Sequence, residues 1–470
     1  MAEKMNGNNE MNNGQAPEGA AKRYVMVYGA GISGKGAAGE LASLGKSVLL
    51  YDDNDKALEP ELVSLLEKSG GAFVHGDGEK WLPQLEQLVL SPGVSIRNPL
   101  VEKAVAAGVE VISEIELAWR NYPGHMIAIT GTNGKTTTTM LIGEMLKTLP
   151  VKTGVGGNIG YALSTETKAL DKDSWMAAEV SSFQLEGVKD FRPDVAVVLN
   201  LTPDHIERHG TMEEYGRMKQ NIFRQQGPKQ VTVLNYDDPE VRTWGRFSKG
   251  TLCYFSRHVV LPEGVYMDHG NFCIRWKETE EVVCNIKELQ IFGGHNEENI
   301  LAAISCAYFA GVKIEDMRKV LLDFRGVEHR LEYVTSIDGV PYFNDSKATN
   351  TDSAIKALEA FPNGHIVLLA GGHDKMTDLG PMMNLARERV DTLILLGDAK
   401  ERFAKAARAA GVKEVLEVGS FAEAVETAHA KAAPPQVVLL SPACSSFDMF
   451  SGFPERGRCF KKLVQELGKR

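Results

Sequence analysis

The chain has 470 residues, 43% of them hydrophobic and 24% charged, with a formal net charge of −10. That length exceeds what one core supports and implies about three domains of ordinary size. The acidic balance excludes broad electrostatic attraction to nucleic acid or anionic membrane, so an anionic substrate would need local basic pockets. No apolar run reaches the ~18 residues of a membrane span. The six cysteines (Cys253, Cys273, Cys284, Cys306, Cys444, Cys459) are scattered without a C-x-x-C pair. Reduced thiols in a cytoplasmic protein therefore fit better than disulfides or a zinc site.

Residues 1–21 are polar and lack an apolar signal core, so a disordered tail is expected there. A first domain, 22–114, opens with a strand at Tyr24–Tyr28, the turn Gly29-x-Gly31-x-x-Gly34 and a helix through Leu44. A second strand, Ser47–Tyr51, ends at Asp52-Asp53. Further strands at Gln87–Leu90 and Val109–Ile112 flank a helix near Leu100–Ala107, which argues for a parallel sheet covered by helices. The glycine turn, with Asp52 about 20 residues on, satisfies the dinucleotide fingerprint. Such a turn supplies N–H groups rather than redox chemistry, so it suits NAD(H) or the diphosphate of a UDP-sugar alike.

A central domain, 115–326, carries strands near 126–130, 175–180, 195–200 and 231–234. The first runs into Gly131-Thr132-Asn133-Gly134-Lys135-Thr136-Thr137, a glycine turn that opens a helix. It aims backbone N–H groups and a helix N-terminus at one point, which suits phosphate. Lys135 can reach terminal phosphates and Thr136 can bind Mg²⁺. A strict P-loop would need glycine where Ile129 stands. Glu179 and the pair Asp204-His205 fall at carboxyl ends of strands, on the same edge as Lys135 and Thr136, and Glu179, Thr136 and His205 make a plausible Mg²⁺ shell. The alternative is that Asp204 and His205 only cap the helix from about Met212. On composition Lys219 reads as a solvated helix lysine. Gly264–Trp276 reads as a hairpin with a polar turn, part of an antiparallel flap attached to this domain.

The third domain, 327–470, has strands at His365–Ala370, Thr392–Leu396 and Gln436–Leu440 that are apolar at nearly every position, as in sheets buried on both faces. Each ends in a polar loop: Gly371–Lys375, Gly397-Asp398 and Ser441–Phe447. Ligands of open α/β sheets bind at such strand ends. The fold class is thus α/β, with a Rossmann-like N-terminal domain, a central P-loop-type ATPase domain with a mostly parallel sheet, and a Rossmann-like C-terminal domain.

Gly131–Thr137, Gly156-Gly-Asn-Ile-Gly160, Glu179-Val-Ser-Ser-Phe-Gln184, Asn200-Leu-Thr-Pro-Asp-His205 and Gly293-Gly-His-Asn296 together resemble the Mur ligase family. So do Glu328-His-Arg330, Asn344–Asn350 and Leu440–Asp448. The motifs run in order from about residue 24 to the C-terminus. The resemblance implies a cytoplasmic, monomeric, ATP- and Mg²⁺-dependent amide ligase of peptidoglycan precursor synthesis, working through an acyl phosphate and a tetrahedral intermediate. Within the family, the first domain and the Ser441–Asp448 loop look most like the member that joins D-glutamate to UDP-N-acetylmuramoyl-L-alanine. Another Mur-type amino-acid ligase, a NAD(P)-dependent oxidoreductase and a non-catalytic nucleotide-binding regulator are the alternatives.

The same resemblance assigns residues. Gly131–Thr137, Asn296, Asn299, Arg330 and Asp345 would hold ATP. Thr136, Glu179, His205 and Lys219 would hold metal, Lys219 as its CO₂ adduct, and Lys135, Glu179, His205 and Lys219 form the expected catalytic group. Gly29, Gly31, Ile32, Ser33, Asp52, Ser91, Pro92, Gly93 and Asn158 would grip the UDP substrate, with Asp53 and Asn54 in the same region. Lys347, Thr349, Lys375, Ser446, Phe447 and Phe453 would receive D-glutamate. In Gly371–Lys375, Asp374 rather than His373 matches the family's acidic position.

Overall fold

The computed structural model describes residues 23–469 apart from 57, 292 and 362; the tail expected over 1–21 lies outside the described residues. By contacts the chain divides into two compact units. The first spans residues up to Tyr122 together with Gly160–Ala169 and Phe183–Phe191. The second holds Pro123–Ile159, Leu170–Ser182 and everything from Arg192 onward.

The first unit is built on β1 (Tyr24–Tyr28), β2 (Val48–Asp52), β3 (Ala72–His75), β4 (Leu85–Leu90) and β5 (Glu110–Ser113), in the order β3-β2-β1-β4-β5. All pairs are parallel. Alternate residues feed opposite faces: Val25 and Val27 pack into one core, Met26 and Tyr28 into another. Strands covered on both sides need no polar face, which is why β1 and β2 are apolar at nearly every position. Helix Ile32–Ser43 follows β1 directly. Glu116, fully buried, takes the backbone N–H groups of Lys189, Asp190 and Phe191 and the Arg120 guanidinium, and so anchors 183–191 to this unit.

The second unit holds two sheets. One contains β6 (His125–Thr130), β7 (Thr153–Gly157), β8 (Trp175–Glu179), β9 (Val195–Val198), β10 (Val231–Asn235), β11 (Thr251–Ser256), β12 (Gly264–Asp268), β13 (Asn271–Trp276) and β14 (Thr279–Asn285). Their order is β14-β13-β12-β11-β10-β9-β6-β8-β7. The expected hairpin is present as β12–β13, turned by His269 and Gly270 at φ 48 and 82. Two positive φ values in a two-residue loop are what the twist of a tight hairpin demands. Its attachment to the domain is through the central sheet itself. Phe255 pairs with Val265 in parallel, so β12–β14 extend the central sheet as its edge. Periodicity within each strand could not show this, because the pairing of β11 with β12 is a tertiary choice.

The other sheet has β15 (Glu332–Ile337), β16 (Val340–Asn344), β17 (Ile366–Gly371), β18 (Val390–Leu396), β19 (Val415–Glu417) and β20 (Val437–Leu440), ordered β15-β16-β20-β17-β18-β19. Ile366, Leu368 and Ala370 enter one core, Val367 and Leu369 the other. Three mostly parallel sheets agree with the α/β class read from the sequence. Among the described residues no helix is long and apolar enough to cross a membrane.

Candidate functional site

In the first unit the loop after β1 is braced from below. Gly29 N–H donates to Tyr51 O at 2.7 Å and Ser91 Oγ to Gly29 O at 2.8 Å. A Cβ on Gly34 would stand 1.8 Å from Gly29 O, so only glycine lets the helix start this close to the strand. Gly31 caps helix Ile32–Ser43 without a side-chain bond, leaving the first-turn N–H groups of Ile32 and Ser33 for an anion. Asp52 faces inward: it accepts Ala30 N–H at 2.9 Å and pairs with Lys56 at 2.8 Å. Burial opposes its charge, yet Lys56 and the N–H groups of Ala30 and Asn54 hold it below its ordinary value. Its carboxylate therefore supports the loop. Asp53 accepts both the Tyr28 and Tyr51 hydroxyls. Ser91, Pro92 and Gly93 form the turn at the end of β4, closed by Val94 N to Ser91 O at 2.9 Å.

In the second unit the phosphate-type loop lies between β6 and helix Lys135–Leu146. Asn200 Oδ1 takes the N–H groups of Thr132 and Asn133 at 3.1 and 2.8 Å. The N–H groups of residues 135–137 remain at the helix mouth, where the dipole favours an anion. Gly134 has φ +84, and a Cβ there would stand 2.2 Å from Asn299 Oδ1. Asn299 in turn accepts the Thr138 hydroxyl at 3.3 Å and donates to Asn296 at 3.2 Å.

Basic and acidic groups converge around this loop. Lys135 Nζ donates to Gly131 O and Thr132 O at 2.9 and 2.8 Å. Lys219 Nζ reaches the same Gly131 O at 2.7 Å. Lys219 is 1% exposed, which overturns the reading of it as a solvated helix lysine. Helix Met212–Gln220 turns Tyr215, Gly216 and Lys219 inward, a placement that helical spacing alone does not orient. Burial, then the Lys135 charge, drives the Lys219 amine well below its usual value. Glu179, at the end of β8, accepts Asn158 Nδ2 at 2.9 Å through Oε1; its Oε2 is buried without a hydrogen-bond partner among the described residues. Asn158 thus sits beside Glu179. His205, in the left-handed region at φ 54, lies 3.5 Å from Asp204, and burial keeps its imidazole neutral. The Lys375 charge adds to that lowering, so the loop after β17 lies within electrostatic reach.

The orphaned Glu179 oxygen, the Thr136 hydroxyl and a neutral imidazole are oxygen and nitrogen donors of the kind a divalent cation takes. Among the described residues, three acid or imidazole ligand atoms come within 4.8 Å of one another only at Glu328, His329 and Glu332. There Lys461 already holds both carboxylates, at 2.6 and 2.8 Å.

The third sheet brings its own loops to the same place. Lys347 Nζ bonds the Thr136 hydroxyl, and burial lowers that ammonium to about 8. Asp352 joins Asn133 and Thr202, Ser353 joins Asn133 at 2.8 Å, and Asn350 joins Asp204 at 3.2 Å. Nothing in the sequence marks Asp352 and Ser353 as partners of this loop. Asn350 was in view, and its capping of Ser353 N at 2.8 Å is the signal that marks where the helix bearing Asp352 begins.

A cavity of about 260 Å³ opens beside the loop, lined by Gly134, Asn299, Arg330 and Asp345, and also by Asp237, His295, Glu298 and Lys356. Asp345 is held by Ser441 Oγ at 2.9 Å and Leu331 N at 3.2 Å, and burial raises it to about 6. Arg330 Nε is buried without a partner among the described residues. Ser446 is buried, Thr349 and Phe453 half-buried, Phe447 and Lys375 exposed. Asp374 is engaged by the Arg402 fork at 2.6 Å twice, which holds it below the ordinary carboxylate value.

Phosphate-type loop, buried carboxylate and basic strand-end loops on a three-sheet α/β fold define a nucleotide-dependent ligase frame, and the chain belongs to the Mur ligase family. Residues 23–113 match the MurD-like N-terminal domain of Mur ligases, 129–307 the Mur ligase middle domain, and 329–444 the Mur ligase glutamate ligase domain. The UDP-N-acetylmuramoylalanine–D-glutamate ligase of Desulfitobacterium hafniense is 43% identical over 448 residues, 94% of this chain and 98% of that protein. The ligase of the same name from Pelotomaculum thermopropionicum is 43% identical over 453 residues, 95% and 98% of the two chains. Among solved structures, MurF from Acinetobacter baumannii superimposes with a TM-score of 0.60 at 18% identity, covering 91% of this chain and 92% of that one. UDP-N-acetylmuramate–alanine ligase MurC from Thermotoga maritima gives 0.58 at 20%, covering 95% and 99%. At such identity these two speak for the fold.

Proposed function

We propose that this chain is the ATP-dependent ligase that adds D-glutamate to UDP-N-acetylmuramoyl-L-alanine in peptidoglycan precursor synthesis. The supporting observation is the contact of Lys347 with Thr136, which sets a loop of the third sheet against the phosphate-type loop of the second. Near-full-length identity of 43% to ligases of that name supports the choice of substrates.

The chemistry follows from the donors. A carboxylate is a poor electrophile, so the γ-phosphoryl group of ATP passes to the substrate carboxylate and ADP leaves. The D-glutamate amine then attacks the acyl carbon, the C–O bond to phosphate breaks, and the amine proton is lost. Most of the rate enhancement is positioning and charge neutralisation. Lys135 and the helix N-terminus face phosphate oxygens. The adenosine cavity uses Asn296, Asn299, Arg330 and Asp345, while Lys347, Thr349, Lys375, Ser446, Phe447 and Phe453 receive the amino acid. Thr136, Glu179, His205 and carbamylated Lys219 would hold Mg²⁺, which supplies charge neutralisation at the transferring phosphoryl group. A neutral amine is the form that reacts with CO₂, and the lowered value of Lys219 favours it. Asn158 orients Glu179, and Gly29, Gly31, Ile32, Ser33 and Ser91–Gly93 bind the UDP portion. The oxidoreductase alternative rests on the Gly29–Gly34 turn, while Asp52 is engaged by Ala30 N–H and Lys56. The enzyme is expected to act in the cytoplasm as a monomer.

Phosphate release from ATP, measured with UDP-N-acetylmuramoyl-L-alanine and D-glutamate, L-glutamate or no amino acid, tests this. Release that requires both substrates and only D-glutamate is expected. Release with a different amino acid would change the family member, and none at all would reject the reading.

A further inference from the structure

Arg456 lies in the first turn of helix Phe453–Leu467 and is 1% exposed. Its Nε donates to Ser346 Oγ at 3.0 Å and one terminal nitrogen to Ser346 O at 2.8 Å and Cys444 O at 3.1 Å. The other reaches Ser445 O at 3.3 Å. A Cβ on Gly372 would stand 3.2 Å from that nitrogen, so the loop after β17 packs onto the same guanidinium. One side chain therefore touches the loops after β16, β17 and β20. These loops carry Lys347, Lys375 and Ser446, and Phe453 opens Arg456's own helix.

The fork spends its donors on carbonyls and a hydroxyl. Among the described residues no carboxylate pairs with it. Asp345 is engaged by Ser441 and Leu331 N, and Asp448 accepts Asp398 N–H at 3.3 Å, while both carboxylates remain within electrostatic reach of the guanidinium. Burial lowers this guanidinium to about 10, with the Cys444, Asp448 and Asp345 charges opposing the lowering, so it stays protonated at neutral pH. A purely structural hub would not require the charge, because neutral donors satisfy carbonyls. A site that must attract an anion does require it.

We propose that Arg456 is a positioning residue of the amino-acid subsite, whose buried guanidinium fixes the three loops and adds positive charge that favours an acidic amino-acid substrate. This rests on the functional reading above and deepens it, by assigning to Arg456 the preference for an anionic side chain. It acts through Ser346, Cys444 and Ser445.

The test is steady-state kinetics of the full chain with D-glutamate and D-glutamine varied at saturating ATP and UDP-N-acetylmuramoyl-L-alanine, for wild type, Arg456→Met, Arg456→Lys and Ser346→Ala. Arg456→Met is expected to raise KM for D-glutamate by about tenfold or more, leave KM for ATP within about twofold, and reduce the preference for D-glutamate over D-glutamine. Arg456→Lys keeps the charge and should keep that preference while losing the fork geometry. Ser346→Ala should raise KM for D-glutamate with the preference intact. A folded Arg456→Met with wild-type KM for D-glutamate overturns the inference. If Arg456→Met does not fold, unchanged D-glutamate KM in both other variants overturns it. A wild-type chain inert toward D-glutamate rejects the functional reading and this inference together. A wild-type chain active on it, with variants that keep its KM, rejects the inference alone.

Discussion

At the scale of single residues, burial decides chemistry that composition leaves open. Lys219 belongs to a polar-looking helix, yet its amine is enclosed against Gly131 O and the Tyr215 ring. Lys219→Ala should remove most ligase activity, and bicarbonate with short-chain carboxylic acids should partly restore it by replacing the carbamate oxygens. Wild-type turnover in that variant would sink the carbamate role. Glu40 is a second case, in the first unit. It is 6% exposed, and burial lifts its carboxyl from 4.5 to about 7, with Glu114 adding to the lift and Asn121 and Lys168 opposing it. Its folded value is the higher one, so the neutral form stabilises the fold below pH ~4.5, and that contribution is lost as pH rises through about 7. At about 1.4 kcal/mol per unit, ionisation costs the folded state roughly 3 kcal/mol by pH 8. Glu40→Gln should therefore stabilise the first unit at pH 8 and change little at pH 4. Urea midpoints at the two pH values, equal in their differences from wild type, would contradict this.

At the scale of elements, the phosphate-type loop works because a strand end, a helix start and a second helix meet within hydrogen-bond range. Gly134 is the tight point, with φ +84 and Asn299 Oδ1 where a Cβ would stand. Gly134→Ala should cost ~1–3 kcal/mol from left-handed strain alone. It should also displace Asn299 from Thr138 and Asn296, raising KM for ATP by about tenfold or more. A calorimetric scan with an ATP titration separates the two effects. Preserved nucleotide affinity would mean that the loop tolerates the shift of Asn299.

At the scale of the second unit, hydrogen bonds from Asp352, Ser353, Asn350 and Lys347 hold loops of the third sheet to loops of the central one. Such bridges are few and polar, the kind that yields in hinge closure and opening. Asp352→Ala removes the shared acceptor of Asn133 and Thr202. The radius of gyration of the ligand-free variant should rise by X-ray scattering and fall again with ATP and both substrates. A profile superimposable on wild type would show that Asp352 does not hold these loops together.

The sequence by itself determined the α/β class, most strands of the three sheets and the phosphate-type loop, because periodicity, glycine turns and short motifs are local properties. Glu179 does end a strand of the central sheet, whereas His205 lies beyond β9, at the start of the short helix Ile206–His209. Only the tertiary structure decided that β12–β14 extend the central sheet, since strand pairing joins segments whose local patterns do not name their partners. It alone showed Lys219 buried, Asp52 turned inward onto Ala30, and Asp352 bonded to Asn133. Each of those facts depends on which groups meet across long stretches of chain, where solvation and hydrogen bonding are settled by packing rather than by neighbours in sequence.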